Sequence, residues 1–520
     1  MARIIQTSTI LDPRRDLATQ DDREWVYNGL DCCVTLEVLN KLTPMLDNTT
    51  RGTYEFSKSL QAPVLEMTMG GILVDLYQRD TVLRSYKDQI KVIADQLDTI
   101  IGEGLGWKGM NWRSPIQLKR LFYDMLQLKP IKKRNAAGRM APTVNREALE
   151  KLSDYFYAEP ICNRLLLLRD IDKKRSFLET SLDSDNRIRT NLNIAGTDTG
   201  RLASSLSDYG TGGNLQNVDR ELRSVFVADP GMKFANIDLE QADARNVGAI
   251  CWELFIESHG EKYAGAYLDA CESGDLHTTV CSMAWNDLPW TGDRKADRQI
   301  ADQIAYRALT YRDLAKKLGH GTNYYGQPPT MAKHSKVQQD AIKLFQDKYF
   351  AAFPAIGGPS EHNYHKWVKQ TLRAEREITT LFGRRRNFFG DPQADETLRA
   401  AIAHSPQSMT ADEIDIGLLA LWRANICRLM IQVHDSILIQ YPEELEDVIV
   451  PQAMKLLRVP LTLSRGREFI VPCDCKVGWN WGDVQYDKAG NVIGNPEGLA
   501  KYKGGDTRKR EVRTLFGKRI

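Results

Sequence analysis

Residues 431–440 read IQVHDSILIQ, two apolar half-strands joined by a turn-prone His-Asp-Ser that puts Asp435 at a hairpin tip. A second short apolar strand, FANIDLE, carries Asp238 at its end. Helical sequence lies on both sides of these acid-tipped strands, so the pattern is α+β and not a regular βαβ alternation. Alone, an acid after a strand is most often a helix N-cap, and an acid at a hairpin tip is most often turn chemistry. Together the two supply hard oxygen ligands from separate strands, a donor set that Mg²⁺ accepts when substrate phosphates complete its coordination.

The rest of the 520-residue chain is long enough for two to four subdomains. Residues 1–20 are polar and irregular, 27–42 repeat apolar positions at helical spacing, and 53–69 form a helical block closed by Gly70-Gly71. ILVDL is a short strand. Residues 81–180 read as amphipathic helix broken by the basic loop KPIKKRNAAGRMAP, and RIRTNLNIAG alternates like a strand. Residues 247–376 are helical, and 487–520 are Gly-, Asn- and Lys-rich, which predicts a poorly ordered basic tail. No run is long and apolar enough for a membrane span, and the first twenty residues lack the apolar core of a secretory signal. The nine cysteines lack zinc-site spacing, which suits a reducing cytoplasm, or a host's cytoplasm if a phage encodes the chain. Net charge is only +2, but Lys132-Lys133-Arg134, Arg384-Arg385-Arg386 and Arg508-Lys509-Arg510 are compact basic clusters of the kind that neutralise phosphates.

Two further stretches carry chemistry. In RDLAKKLGHGTNYYG, Arg312, Lys316, His320 and Tyr324 are spaced by four and share one helix face. Such a face offers cations to a triphosphate and flat rings to a sugar and base. TDTGRLASSLSDYGTGGNLQNV surrounds Arg201 with small polar residues that suit the sugar and minor-groove edge of a duplex. ANIDLEQADAR adds Asp243 and Arg245 on the helix expected after the first strand.

TGRL and NLQN, DLEQADAR, RDLAK-H-G-NYYG and QVHDS follow one another in an order and spacing that resemble the polymerase domain of DNA polymerase I and its phage relatives, family A. QAPVLEMTMGGILVD, SPIQL, GDLHTTV, TLFGRRR and VGWNW agree, over roughly 50–484. The resemblance implies a right-hand fold, with an antiparallel palm sheet and helical fingers and thumb. It implies these regions: 1–46 a remnant of a 3′–5′ exonuclease domain, 47–185 the opening region and thumb, 186–250 palm, 251–375 fingers, 376–484 palm, 485–520 a basic tail. Asp238 and Asp435, with the Leu239 carbonyl, would hold two Mg²⁺ ions, Mn²⁺ being a substitute. Arg312, Lys316, His320, Tyr324 and His277 would bind the dNTP, with Asp243 guarding against a ribose 2′-OH. Arg201, Asn214, Gln216, Arg245, Arg399, Gln407 and His434 would track primer-template DNA, and Lys132, Lys133 and Arg134 would grip duplex phosphates from the thumb.

Ser436 stands where many members carry a second acid, His320 where Phe or Tyr is usual, and Asp243 where Glu is usual. Tyr27 and Asp31 resemble the last exonuclease motif; the other acidic motifs find no counterpart before them, so no proofreading is expected. Both residues are expected to be structural, helping their helix pack on the polymerase. The sequence reading is a phage replicative DNA polymerase, with a separately encoded exonuclease or a processivity factor as further partners. A single-subunit RNA polymerase is the alternative, and the TGRL and NLQN block with Asp243 argues against it.

Overall fold

A computed structural model describes residues 20–505 apart from 136–137, 208–209, 307–308, 336 and 488, together with Arg508. The chain forms two compact units, each discontinuous in sequence. One contains 62–240, 413–461 and the described residues from 470 onward; the other contains 241–412, 462–469 and the described residues up to 61. Fold class agrees with expectation: helices and antiparallel sheet are mixed.

The first unit is built on a five-stranded sheet. Its strands are β1 (Met232–Leu239), β2 (Arg428–Val433), β3 (Ser436–Pro442), β4 (Cys473–Gly478) and β5 (Ala500–Lys501), in the order β2-β3-β1-β4-β5. Every neighbouring pair is antiparallel. β1 is central and almost continuously buried through Phe234, Ala235, Ile237 and Leu239, which explains its apolar sequence. Phe234, Ile431, Val433 and Leu438 share one core with Phe226 and Trp481. The same unit carries helices α1 (Leu76–Leu105) and α2 (Glu159–Leu178), which meet over a second core including Leu97, Ile101, Phe122, Leu165 and Leu168. Asp75 caps α1 by accepting from the Gln78 amide at 2.9 Å.

Local structure departs from expectation in four places. The basic loop is a hairpin, with Lys132–Arg134 paired to Met140–Pro142, because Asn135 closes a turn by accepting from the Arg139 amide at 2.9 Å. The helical stretch 247–376 contains a small hairpin, Ile304–Tyr306 with Leu309–Thr310. Residues 485–505 are structured: they form a hairpin and then β5 at the sheet edge. Gly478 and Gly498 let two backbones approach so closely that a Cβ on Gly478 would stand 2.4 Å from the Gly498 carbonyl oxygen. Glycine there serves close pairing and not disorder. Arg508 donates to the Val477 and Gly498 carbonyls at 2.7 and 2.8 Å, while Lys509, Arg510 and the first nineteen residues lie outside the described residues. Finally, Arg384 is not a free phosphate ligand, because it pairs with the buried Asp412 carboxylate at 2.5 Å.

The Gln20–Leu42 helix forms as expected, but Tyr27 is 65% exposed and Asp31 is exposed. The expected packing role for these two is therefore not met among the described residues.

Lys233 and Glu446 form a buried ion pair, 2.6 Å apart, with the Tyr441 hydroxyl donating to Glu446 at 2.9 Å and Trp479 stacked 4.6 Å from the ammonium. Removing one partner strands the other charge, which costs about 3–5 kcal/mol. Glu446→Ala is expected to lower the urea midpoint markedly when unfolding is followed by tryptophan fluorescence. An unchanged midpoint would show that the pair contributes nothing net.

Candidate active site

The sheet register places the acids. Asp238 lies opposite Ser436 on β3 and opposite Asp474 on β4. β2 and β3 are joined by a two-residue turn, His434-Asp435, in which His434 takes φ +57°. That conformation is uncommon outside glycine, and the Gln432 amide supports it by donating to the His434 carbonyl at 2.5 Å. The Leu239 amide then donates to the Asp435 carbonyl at 3.0 Å, locking the turn against the end of β1. Asp238 and Asp435, almost two hundred residues apart in sequence, thereby become neighbours.

The neighbourhood is electrically unfavourable without a cation. Crowding by protein, then the negative charges of Asp435 and Asp474, push Asp238 up to about 7 from its ordinary 3.8. Its side chain stays open to solvent, so the like charges carry more of this than desolvation does. Asp474 also accepts an ion pair from Lys501 at 3.2 Å. The Ser436 hydroxyl donates to the Val433 carbonyl at 3.0 Å and so braces the turn. Among the described residues no group of three metal-binding side chains converges on one point. Two close carboxylates on a polar, solvent-open strand end still fit divalent ions that take the rest of their ligands from phosphate and water.

In the second unit, α3 (Ala242–His259) begins after Gln241, whose φ of +57° turns the chain. Asp243 stands in its first turn and accepts from the Thr410 hydroxyl at 2.7 Å. Two more helices follow, α4 (Leu276–Ala284) and α5 (Tyr311–Asn323). A capping box of Thr310 and Asp313 starts α5, and Leu314, Ala315 and Leu318 bury its inner face. The opposite face carries half-buried Arg312 and exposed Lys316 and His320. Tyr324, just past the helix end, meets the His320 ring edge-to-face at 4.8 Å. The expected stripe is therefore present. Asp275, the α4 cap, reaches Arg312 at 3.4 Å and Arg298 at 3.2 Å. His277 joins this cluster: burial first, then the charges of Arg312 and Lys316, push it down to about 4, so it is neutral at physiological pH.

The residues expected along DNA are placed differently from one another. His434 and Lys132, Lys133 and Arg134 are exposed. Gln216 is buried and donates to the Gln432 carbonyl at 3.1 Å, which ties it to the strand that leads into the His434 turn. Asn214 donates to the Ser204 carbonyl at 2.8 Å, and half-buried Arg201 takes its backbone position from a Thr197 bond at 2.8 Å. Arg245 is buried. Arg399 and half-buried Gln407 lie on α6 (Asp395–Ala424), where Arg399 pairs with Asp395 at 2.7 Å.

Sequence reasoning missed Asp474, Asp275 and Thr410. Asp474 alternates with buried Cys473 and Cys475, a strand pattern that signalled its face but not its neighbour. Asp275 had a local signal, an acid opening a helix beside His277; Thr410 had none.

The sequence matches the profile of DNA polymerase family A over residues 80–483, most of the chain. The chain belongs to DNA polymerase family A. It is 26% identical over 492 residues to DNA polymerase I of Chloroflexus aurantiacus, covering 88% of this chain and 46% of that protein. DNA polymerase I of Deinococcus radiodurans is 26% identical over 494 residues, covering 89% and 46%. The chain thus spans about half the length of these relatives. The POL domain of Pol1 from M. smegmatis, solved as a complex with DNA primer-template and dNTP, aligns with a TM-score of 0.63 at 23% identity, covering 81% of this chain and 69% of that one. That likeness establishes the family A polymerase-domain fold. Among the described residues no helix is long and apolar enough to cross a membrane.

The raised Asp238 has a consequence for stability in this family A chain. The folded state holds a proton that the unfolded state releases, so metal-free stability falls as pH rises from about 4 to about 7. Asp238→Asn removes that dependence. In EDTA the variant is expected to be more stable than wild type by about 1 kcal/mol above pH 7, after allowance for solvent screening, and equal to it below pH 4. A constant difference across that range in thermal unfolding would show that no such proton is held.

Proposed function

We propose that this chain is a template-directed DNA polymerase that extends a primer 3′-OH with dNTPs, using Asp238 and Asp435 to hold two Mg²⁺ ions. The observation that carries this reading is the register: Asp238 at the end of β1 and Asp435 locked beside it by the Leu239–Asp435 backbone bond. Membership of DNA polymerase family A supports it. When bound, the ions supply Lewis acidity at the primer oxygen and the phosphates, with Mn²⁺ an adequate substitute.

The chain's own residues do the rest. The two carboxylates supply the negative charge that would hold the cations, and a bound cation would favour the deprotonated form of Asp238. Arg312 and Lys316 hold the triphosphate and stabilise charge on the departing pyrophosphate, with Asp275 pairing with Arg312 at 3.4 Å. His277, neutral, offers a hydrogen bond without adding a third charge. His320 and Tyr324 present rings to the sugar and the templating base, and Asp243 rejects the ribose 2′-OH. Lys132, Lys133 and Arg134 grip duplex phosphates. Asp243 also separates this reading from a single-subunit RNA polymerase, whose pocket would need a small residue there. A phage replication setting is the biological counterpart, resting on His320 where the family usually has Phe or Tyr.

A primer-extension assay with dNTPs against NTPs tests the assignment. Extension with dNTPs and little with NTPs is expected. Asp238→Asn and Asp435→Asn should each lower turnover at least about a thousandfold while primer-template binding holds, because each removes a cation ligand and no phosphate contact. Ser436→Ala should stay within a few-fold of wild type. Turnover by either Asn variant in Mg²⁺ would refute the pair.

We assign no proofreading to these residues, since Asp31 and Tyr27 are exposed on their helix without a converging acid group among the described residues. A 5′-labelled mismatched primer, incubated with Mg²⁺ and no dNTPs, should keep its length. Shortening abolished by Asp31→Ala would overturn that assignment.

A further inference from the structure

The Asp243 carboxylate does not stand alone. Thr410, on α6, brings its hydroxyl 2.7 Å from Asp243 Oδ1, and the Asn246 amide reaches the same hydroxyl at 3.1 Å. Thr410 and Asn246 are fully buried, at 1% and 0% exposure, so the hydroxyl and the amide N–H that meet there are shielded from water. The proton directions follow from the groups. Asn246 Nδ2 can only donate, so the Thr410 oxygen accepts from it. The single Thr410 proton then goes to Asp243 or to the Pro406 carbonyl, which is 3.0 Å away. The carboxylate is closer and charged, so it takes the proton. The chain of donation is Asn246 to Thr410 to Asp243, joining α3 to α6.

The helix that carries Thr410 is itself prepared for this. Pro406 lies inside α6 and has no N–H, so the Ile402 carbonyl loses its partner in the helix ladder. The buried Tyr364 hydroxyl replaces it, donating to Ile402 at 2.6 Å. The backbone just before Thr410 is thus held without the missing bond.

We propose that Thr410 is the positioning residue of the sugar gate, holding the Asp243 carboxylate in one rotamer so that it cannot swing aside for a ribose 2′-OH. This rests on the reading of Asp243 as the gate. Aspartate is one methylene shorter than the glutamate usual in the family, so small rotations move its oxygens out of the 2′ position. A buried hydroxyl with one proton and one charged acceptor removes that freedom, as a supporting residue must.

The test compares single-nucleotide insertion of dNTP and the matching rNTP by wild type, Thr410→Val, Thr410→Ser, Asp243→Ala and the Thr410→Val/Asp243→Ala double variant. Valine keeps the shape and removes the hydroxyl. Thr410→Val should lower dNTP-over-rNTP selectivity by roughly tenfold to 150-fold, the range spanned by loss of a hydrogen bond to a charged group. Thr410→Ser should restore it, and the double variant should be no less selective than Asp243→Ala. Unchanged selectivity in Thr410→Val, with reduced selectivity in Asp243→Ala, would overturn the anchor and leave the gate standing. Unchanged selectivity in Asp243→Ala would remove the gate reading and the anchor with it. If Thr410→Val loses its thermal transition, Thr410→Ala carries the same comparison. A folded Thr410→Val that no longer inserts dNTPs would also overturn the proposal, since the anchor acts on sugar choice and not on phosphoryl transfer.

Discussion

The hydrogen bond from the Leu239 amide to the Asp435 carbonyl, with the ladder that pairs Ser436 to Asp238, is the constraint on which the rest depends. A one-residue slip of β1 would turn Asp238 to the other face of the sheet. The ladder from Ser436–Asp238 to Pro442–Met232, with Phe234, Ile237, Ile437 and Leu438 packed in place along it, opposes that slip. Core packing therefore sets the geometry of the acids. The left-handed His434 is the local cost of so tight a turn, offset by the Gln432 bond to its carbonyl.

The same sheet concentrates like charge. Asp238 faces Asp474 directly across a strand pair and Asp435 beyond the strand end, an arrangement that lowers stability wherever no cation is present. Elsewhere in the unit charge is handled the opposite way. Lys233 and Glu446 are buried but fully paired, with Tyr441 and Trp479 completing their shell. One sheet thus holds a compensated ion pair at one end of β1 and a gathering of carboxylates at the other.

The helical unit shows how polar residues become instruments once packed. Asp275 is a helix cap that also orients Arg312 and Arg298. Arg384, from a run that looks like a phosphate patch, is withdrawn onto Asp412 and links the strand-bearing segment 384–387 to α6. Thr410 and Asn246 sit where apolar residues would pack, and they serve Asp243. Each role follows from a partner more than twenty residues away.

The sequence by itself determined the two acid-tipped strands, their α+β setting, the stripe from Arg312 to Tyr324 and the family. Those features are local: periodicity, turn chemistry and ordered motifs survive in one dimension. It did not reveal that Asp474 faces Asp238, that Arg384 is spent on Asp412, that Gln216 is buried against Gln432, or that Thr410 holds Asp243. It also misjudged residues 485–505, where glycine and asparagine read as disorder but serve backbone pairing against the sheet. Each of these depends on which strand or helix lies alongside another. Hydrogen bonding and charge act over a few ångströms of space, and only the tertiary structure decides which residues come within that distance.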